Sequence, residues 1–197
     1  MTGAFKTFAD AKARLLGSAS TRLRPAIPKM AAVGLTLATM LFVNVLFVTE
    51  AMRPAFASRL NRGIGAYYRG DYARAVRELA PAAARGNARA QAQLGFMYEN
   101  GFGVPQNYAV AADLYQHAAL QGDAFGQSRL GLSYDKGHGL PQSVVLSYKW
   151  LDLAAARATN RERDYYRRLR DAVASKMSSD QIVEGQRLAL IWASGGW

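Results

Sequence analysis

The 197-residue chain contains no cysteine. That absence excludes a disulfide framework and any thiolate-held metal or cluster. Histidine is almost as scarce: His117 and His138 are the two present, and neither stands in an H-x-x-x-H or H-E-x-x-H context. Gly101-Phe102-Gly103 is followed by Val104-Pro105 rather than by a third glycine opening a helix, so no phosphate cradle is expected there. No nucleophile, base or metal cluster stands apart from the rest of the chain. A non-enzyme without cofactor or metal is therefore expected, and an activity depending on His138 or Asp135 ranks third among the functional readings. Acidic residues are sparse at one end: residues 1–29 hold Lys6, Lys12, Arg14, Arg22, Arg24 and Lys29 against Asp10, a net +5 out of +11. Between residues 90 and 156 the balance reverses to −2, because Arg129, Lys136 and Lys149 face Glu99, Asp113, Asp123, Asp135 and Asp152. A uniformly basic nucleic-acid surface does not fit that distribution, and no nucleic-acid partner is expected.

One long uncharged run is present, the nineteen residues from Met30 to Val48. At about 1.5 Å per residue it reaches roughly 28 Å, the hydrocarbon thickness of a bilayer. Residues 1–29 are thus expected to be a basic cytoplasmic segment and residues 30–52 a transmembrane helix or signal anchor, which leaves the rest of the chain exported. Ala55-Phe56-Ala57 before Ser58 resembles a signal-peptidase site, so cleavage near Ala57 and a periplasmic or secreted product stay open as the alternative. An organellar presequence is a third reading of the acid-poor start. Phe5, Phe8, Lys12 and Leu15-Leu16 also suit a short amphipathic helix.

What dominates the remainder is self-similarity at thirty-six residues. LGFMYENGFGVPQ at 94–106 returns as LGLSYDKGHGLPQ at 130–142, and Gly86 maps to Gly122, Tyr72 to Tyr108, and Ala82-Ala83 to Ala118-Ala119 and on to Ala154-Ala155. Such a period marks an array of helical hairpins that bury their apolar sides only by stacking. Helices are expected over 58–69, 72–85, 88–100, 108–121, 124–136 and 144–158, with glycines ending the leading helices and Pro105 and Pro141 keeping the loops open. Gly95 and Gly131 fall inside helices at the same register, which suits close helix crossing. After Ala158 the pattern changes: a helix over 160–176 capped by Asn160 carries the stripe Leu169, Val173 and Met177 beside Tyr165 and Tyr166. A last helix then starts at the capping box Ser178-Ser179-Asp180-Gln181, carrying Ile182, Leu188, Leu190, Ile191 and Trp192. These two, residues 159–193, should cap the stack, with Arg167, Arg168, Arg170 and Arg187 on the outer side.

The repeated passages resemble the Sel1-like repeat family, a tetratricopeptide-like class whose units carry an A-x-x-x-L-G-x-M-Y helix, a G-x-G-V loop and a trailing A-A helix. Ala90, Leu94, Gly95, Met97, Tyr98, Gly101, Gly103, Val104, Asn107, Ala111, Leu114, Tyr115, Ala118 and Ala119 fill those places. The resemblance covers residues 58–158, although the first unit lacks the G-x-G loop, and the chain's ending is similar to that of small bacterial envelope members. It implies an all-α superhelical solenoid that acts as an adaptor between proteins, and it carries over no catalytic residue.

Leading helices of such repeats line the concave side. Arg89, Gln93, Phe96 and Asn100 lie at i, i+4, i+7 and i+11, and their counterparts are Phe125, Arg129, Leu132 and Lys136. The framework repeats while this face varies, as a partner-binding groove requires. The expectation is a non-catalytic scaffold tethered in a bacterial inner membrane, N-terminus cytoplasmic and repeats periplasmic, that binds a protein partner in the groove. A periplasmic regulator or cell-wall glycan-binding module is the alternative. The arginines at 157, 161, 163, 167, 168 and 170, tempered by Glu162 and Asp164, form a basic patch open to an anionic partner.

Overall fold

A hydrogen-bond pattern copied from one unit to the next builds the fold. The computed structural model describes residues 59–195; the basic segment 1–29, the expected transmembrane helix or signal anchor 30–52 and the Ala55–Ala57 site lie outside them. Helix α1 covers 59–68. It is followed by α2 (Tyr72–Ala84), α3 (Ala88–Asn100), α4 (Tyr108–Leu120), α5 (Ala124–Lys136), α6 (Val144–Arg157), α7 (Asn160–Ala174) and α8 (Ser179–Ala193). Among the described residues there is no strand, and no helix is long and apolar enough to cross a membrane. Each helix from α2 to α6 packs on the next, and the leading helices α3 and α5 also lie side by side.

The repeated side chains explain why the elements begin where they do. The side-chain oxygen of Asn87 accepts from the Ala90 N–H at 2.9 Å, and that of Asp123 accepts from the Gly126 N–H at 2.7 Å, each satisfying a donor the first helical turn leaves free. Asn107 and Ser143 serve α4 and α6 in the same way. One turn further on, the buried Gln91 and Gln127 side chains donate to the carbonyls of Ala83 and Ala119, both at 3.2 Å. Each glutamine thus pins its leading helix to the trailing helix of the previous unit.

The glycine loops have a second task besides ending a helix. Phe102 stacks on Tyr72 at 4.6 Å between centroids, and His138 takes the equivalent place over Tyr108 at 4.2 Å. Beside them the backbone at Gly103 and Gly139, both at positive φ, lies so close to the Tyr72 and Tyr108 carbonyls that a Cβ would sit 2.7 and 2.2 Å from the oxygens. His138 is therefore a packing residue of the loop. Within the helices, a Cβ on Gly95 would come 2.9 Å from the Tyr115 ring and one on Gly131 2.9 Å from Leu151 Cγ, which accounts for glycine at both crossings.

Beyond Ala158 the spacing outlives the motif. Helix α7 begins at Asn160, thirty-six residues after the start of α5 at Ala124, although the residues of the repeat are gone. Its cap differs from expectation: Thr159 is the N-cap, it forms no side-chain cap bond, and Asn160 is itself the first helical residue at φ 40°. Asparagine tolerates that left-handed conformation better than most side chains. The capping box at Ser178 and Gln181 is formed as expected.

Helix α8 does not pair with α7 as earlier trailing helices pair with their leading helices; it packs on α6. Its contact face is Gly185, set against the Tyr148 ring, and Ala189, which joins a core with Trp150 and Leu153. Leu190 and Ile191, among the apolar residues this helix carries, are 71% and 38% exposed, because the small-residue stripe rather than the bulkiest one faces α6. Arg170, expected outward, turns inward to pair with Asp152 at 2.7 Å.

Candidate functional site

The leading ends of α3, α5 and α7 and the tail of α1 enclose a groove of about 630 Å³. Its floor is aromatic. Tyr67 meets Phe96 edge-on with centroids 6.0 Å apart, and Phe96 meets Phe125 at 5.9 Å, so one continuous row crosses three helices. Tyr68 stands beside it, 80% exposed, and buried Tyr166 of α7 closes the far end.

The charges along the groove change sign. Arg89 and Gln93 line the α3 wall, one turn apart, and neither has a hydrogen-bond or ion-pair partner among the described residues. Asp123 and Glu162 line the α5 and α7 walls. Asp123 spends one oxygen on its helix cap, and neither acid has a cationic partner among the described residues. Burial pushes the Tyr166 hydroxyl above its usual range; Glu162 and Asp123 push it the same way, against a hydrogen bond with Ser128. Those carboxylates therefore act on the closed end of the groove.

Of the eight side chains the leading-helix pattern singles out, Arg89, Gln93, Phe96 and Phe125 line this groove together. Asn100, Arg129, Leu132 and Lys136 do not line it. Asn100 folds back on its own helix, donating to the Phe96 carbonyl at 2.8 Å. Arg129 is drawn inward: its guanidinium lies 5.0 Å from the Phe96 ring centroid and donates from Nε to Glu99 Oε2 at 3.2 Å, with a second, closer bond from Nη2. The Tyr115 hydroxyl donates to the same oxygen at 2.6 Å.

Three helices thus meet in a charged knot beneath the aromatic floor. Burial alone would raise the Glu99 carboxyl, but the bonds from Arg129 and Tyr115 and the Arg129 charge outweigh it and hold the group below its ordinary value. Burial and the neighbouring carboxylate push the Tyr115 hydroxyl well up. Arg129 supports the floor under Phe96 rather than offering itself to a ligand.

Tyr67, Tyr68, Asp123, Glu162 and Tyr166 belong to the groove without having been marked by the repeat. Tyr67 and Tyr68 sit in the unit whose loop departs from the pattern, and α7 has lost the motif. The surviving signal was the thirty-six-residue cadence of helix starts, which places Glu162 and Tyr166 on a further helix in the leading-helix register. Among the described residues no group of three His, Asp or Glu side chains could hold a metal ion.

Comparison with known proteins agrees with this architecture. The Sel1 repeat family model matches residues 88–123 and 124–158. A solved protective antigen of uropathogenic Escherichia coli, displaying an SLR fold, is 25% identical with a TM-score of 0.65, over 71% of this chain and 30% of that one. A Sel1 repeat protein from Oxalobacter formigenes is 28% identical with a TM-score of 0.54, over 68% of this chain and 55% of that one. The chain therefore spans about a third to a half of the length of these structures. No curated protein matches it.

Proposed function

Given a chain that carries two Sel1 repeats within an all-helical SLR-type solenoid, we propose that it is a non-catalytic scaffold that holds a protein partner in the groove across α1, α3, α5 and α7. Sel1 repeat proteins generally mediate protein–protein interactions. The observation that carries the reading is the aromatic row Tyr67–Phe96–Phe125, open to solvent and bordered by Arg89 and Gln93 without internal partners. Aromatic and arginine side chains at the centre of a concavity are the usual anchors of protein recognition. Arg129 and Lys136, further along α5, stay in the proposal as support and rim.

Tethering belongs to the same proposal. Residues 30–48 are uncharged and long enough to span a bilayer, and the +5 segment before them favours a cytoplasmic N-terminus. The groove would then face the periplasm of a bacterial inner membrane, or be released there by cleavage near Ala57.

A photo-crosslinking amino acid placed at Gln93, in the full chain expressed in its host, tests the groove. Adducts with a protein partner are expected from this position and not from Asp113, which is exposed on the trailing helix α4. Equal adducts from both positions, or none from Gln93, would discard the groove reading. Protease protection in spheroplasts, which should cut the repeats and spare residues 1–29, checks the topology.

A further inference from the structure

We propose that the groove selects an extended peptide segment in which an arginine lies beside an aromatic or proline residue, the guanidinium seating at the α5–α7 end between Asp123 and Glu162. The inference rests on the scaffold reading above and adds the chemistry of the partner. Three observations combine. The floor is aromatic over three helices, with Phe96 5.9 Å from Phe125 and 6.0 Å from Tyr67, and a flat apolar or proline side chain lies well on such a surface. At one end two carboxylates, Asp123 and Glu162, stand with no cation among the described residues to meet them. On the α3 wall Arg89 stands equally unpaired, so a basic side chain is repelled from α3 and attracted toward α7.

That asymmetry sets the peptide's direction as well as its charge. Guanidinium suits the acidic end better than an ammonium, because it is planar and weakly hydrated and can stack on Phe125 or Tyr166 while its edge donates to the carboxylates. A bare divalent cation suits it poorly: only two carboxylates line that end, and Asp123 already spends an oxygen on the α5 cap at 2.7 Å. The volume of about 630 Å³ accommodates a few residues of extended chain, not a helix of about 10 Å diameter laid in whole.

Three fluorescein-labelled octapeptides of equal length test this by anisotropy on the full chain. One carries Arg-Pro-Phe at its centre, one Glu-Pro-Phe and one Arg-Ala-Ala. The first should bind at least roughly tenfold more tightly than either of the others, and Lys in place of Arg should cost several-fold. Asp123→Asn keeps an oxygen for the α5 cap, so the double variant Asp123→Asn/Glu162→Gln is expected to fold and to lose the preference for Arg over Glu while still preferring Pro-Phe over Ala-Ala. Preference for the Glu peptide, indifference to the central charge, or unchanged selectivity in the double variant would overturn the proposal. If crosslinks form at Gln93 while selectivity is absent, the scaffold reading survives and this one fails; if crosslinks and peptide binding are both absent, both fall.

Discussion

At the scale of single residues, the most consequential group is Glu99. It accepts from Arg129 and from Tyr115, and its side chain and that of Arg129 are only 13% and 18% exposed. Replacing Arg129 with Gln should leave a buried carboxylate without its cation, at a cost of about 3 kcal/mol, read as a lower urea midpoint. The pH dependence has a defined sign. Because the folded protein holds the Glu99 carboxyl below its ordinary value of 4.5, the stability it contributes is present above that value and is lost as pH falls through the lowered one. Wild type should therefore lose more stability than Arg129→Gln between pH 6 and pH 3; equal losses would show that Glu99 is not held down by Arg129. Tyr115 adds to the same knot, and Tyr115→Phe should cost about 1–2 kcal/mol by stripping a hydrogen bond from a charged, buried acceptor.

At the scale of elements, the docking of each loop on the previous unit outweighs what helix propensity would suggest. Gly139 combines positive φ with a backbone approach that leaves 2.2 Å between a new Cβ and the Tyr108 oxygen. Gly139→Ala should destabilise by about 2–4 kcal/mol, since backbone cannot give way as a flexible side chain can. Gly65 is the contrasting case. A Cβ there meets only the far end of Arg69 at 3.3 Å, so Gly65→Ala should be neutral or gain up to about 1 kcal/mol from helix propensity. Parallel thermal melts of the two variants check both statements, and similar shifts would contradict the loop-docking account. The element boundaries themselves were readable to within a residue or two, because Asn87, Asn107, Asp123, Ser143 and Ser178 act on N–H groups three residues away. Asn160 misled for a related reason: a capping residue type does not say whether it will stand at the cap or one step inside the helix.

At the scale of the whole molecule, closure of the stack depends on α8. It seals Trp150 through Ala189 and Trp192, the two indoles meeting edge-on at 5.8 Å, and covers Tyr148 at Gly185. Removing residues 179–197 should expose that end of the core and lower the stability of the entire array, not of α7 alone, because each unit is held mainly by its neighbours. Hydrogen exchange should show protection falling first in α6 and then in α5; unchanged protection there would mean that α6 is closed without α8. The arginines from Arg157 to Arg170, read as one basic patch, are partly dispersed by packing at this end of the array. Arg170 is paired with Asp152 and Asp171, Arg157 lies 5.0 Å from the Trp192 ring, and Arg163 bonds the Ala158 carbonyl.

The thirty-six-residue period, the caps and the in-helix glycines determined by themselves that the chain would be a stack of helical hairpins with its leading helices side by side. Those features act through neighbours one to four residues apart, or through recurrence, and both are visible in one dimension. Which side chains would line the groove was decided only in three dimensions. Arg129 left the predicted face because Glu99 and Tyr115 on other helices offered it a buried charge partner, while Tyr68, Glu162 and Tyr166 entered the groove because α1 and α7 close its ends. The seat of α8 on α6 was likewise settled by the fit of Gly185 and Ala189 against Tyr148 and Trp150, a match between surfaces nearly forty residues apart that no local pattern encodes.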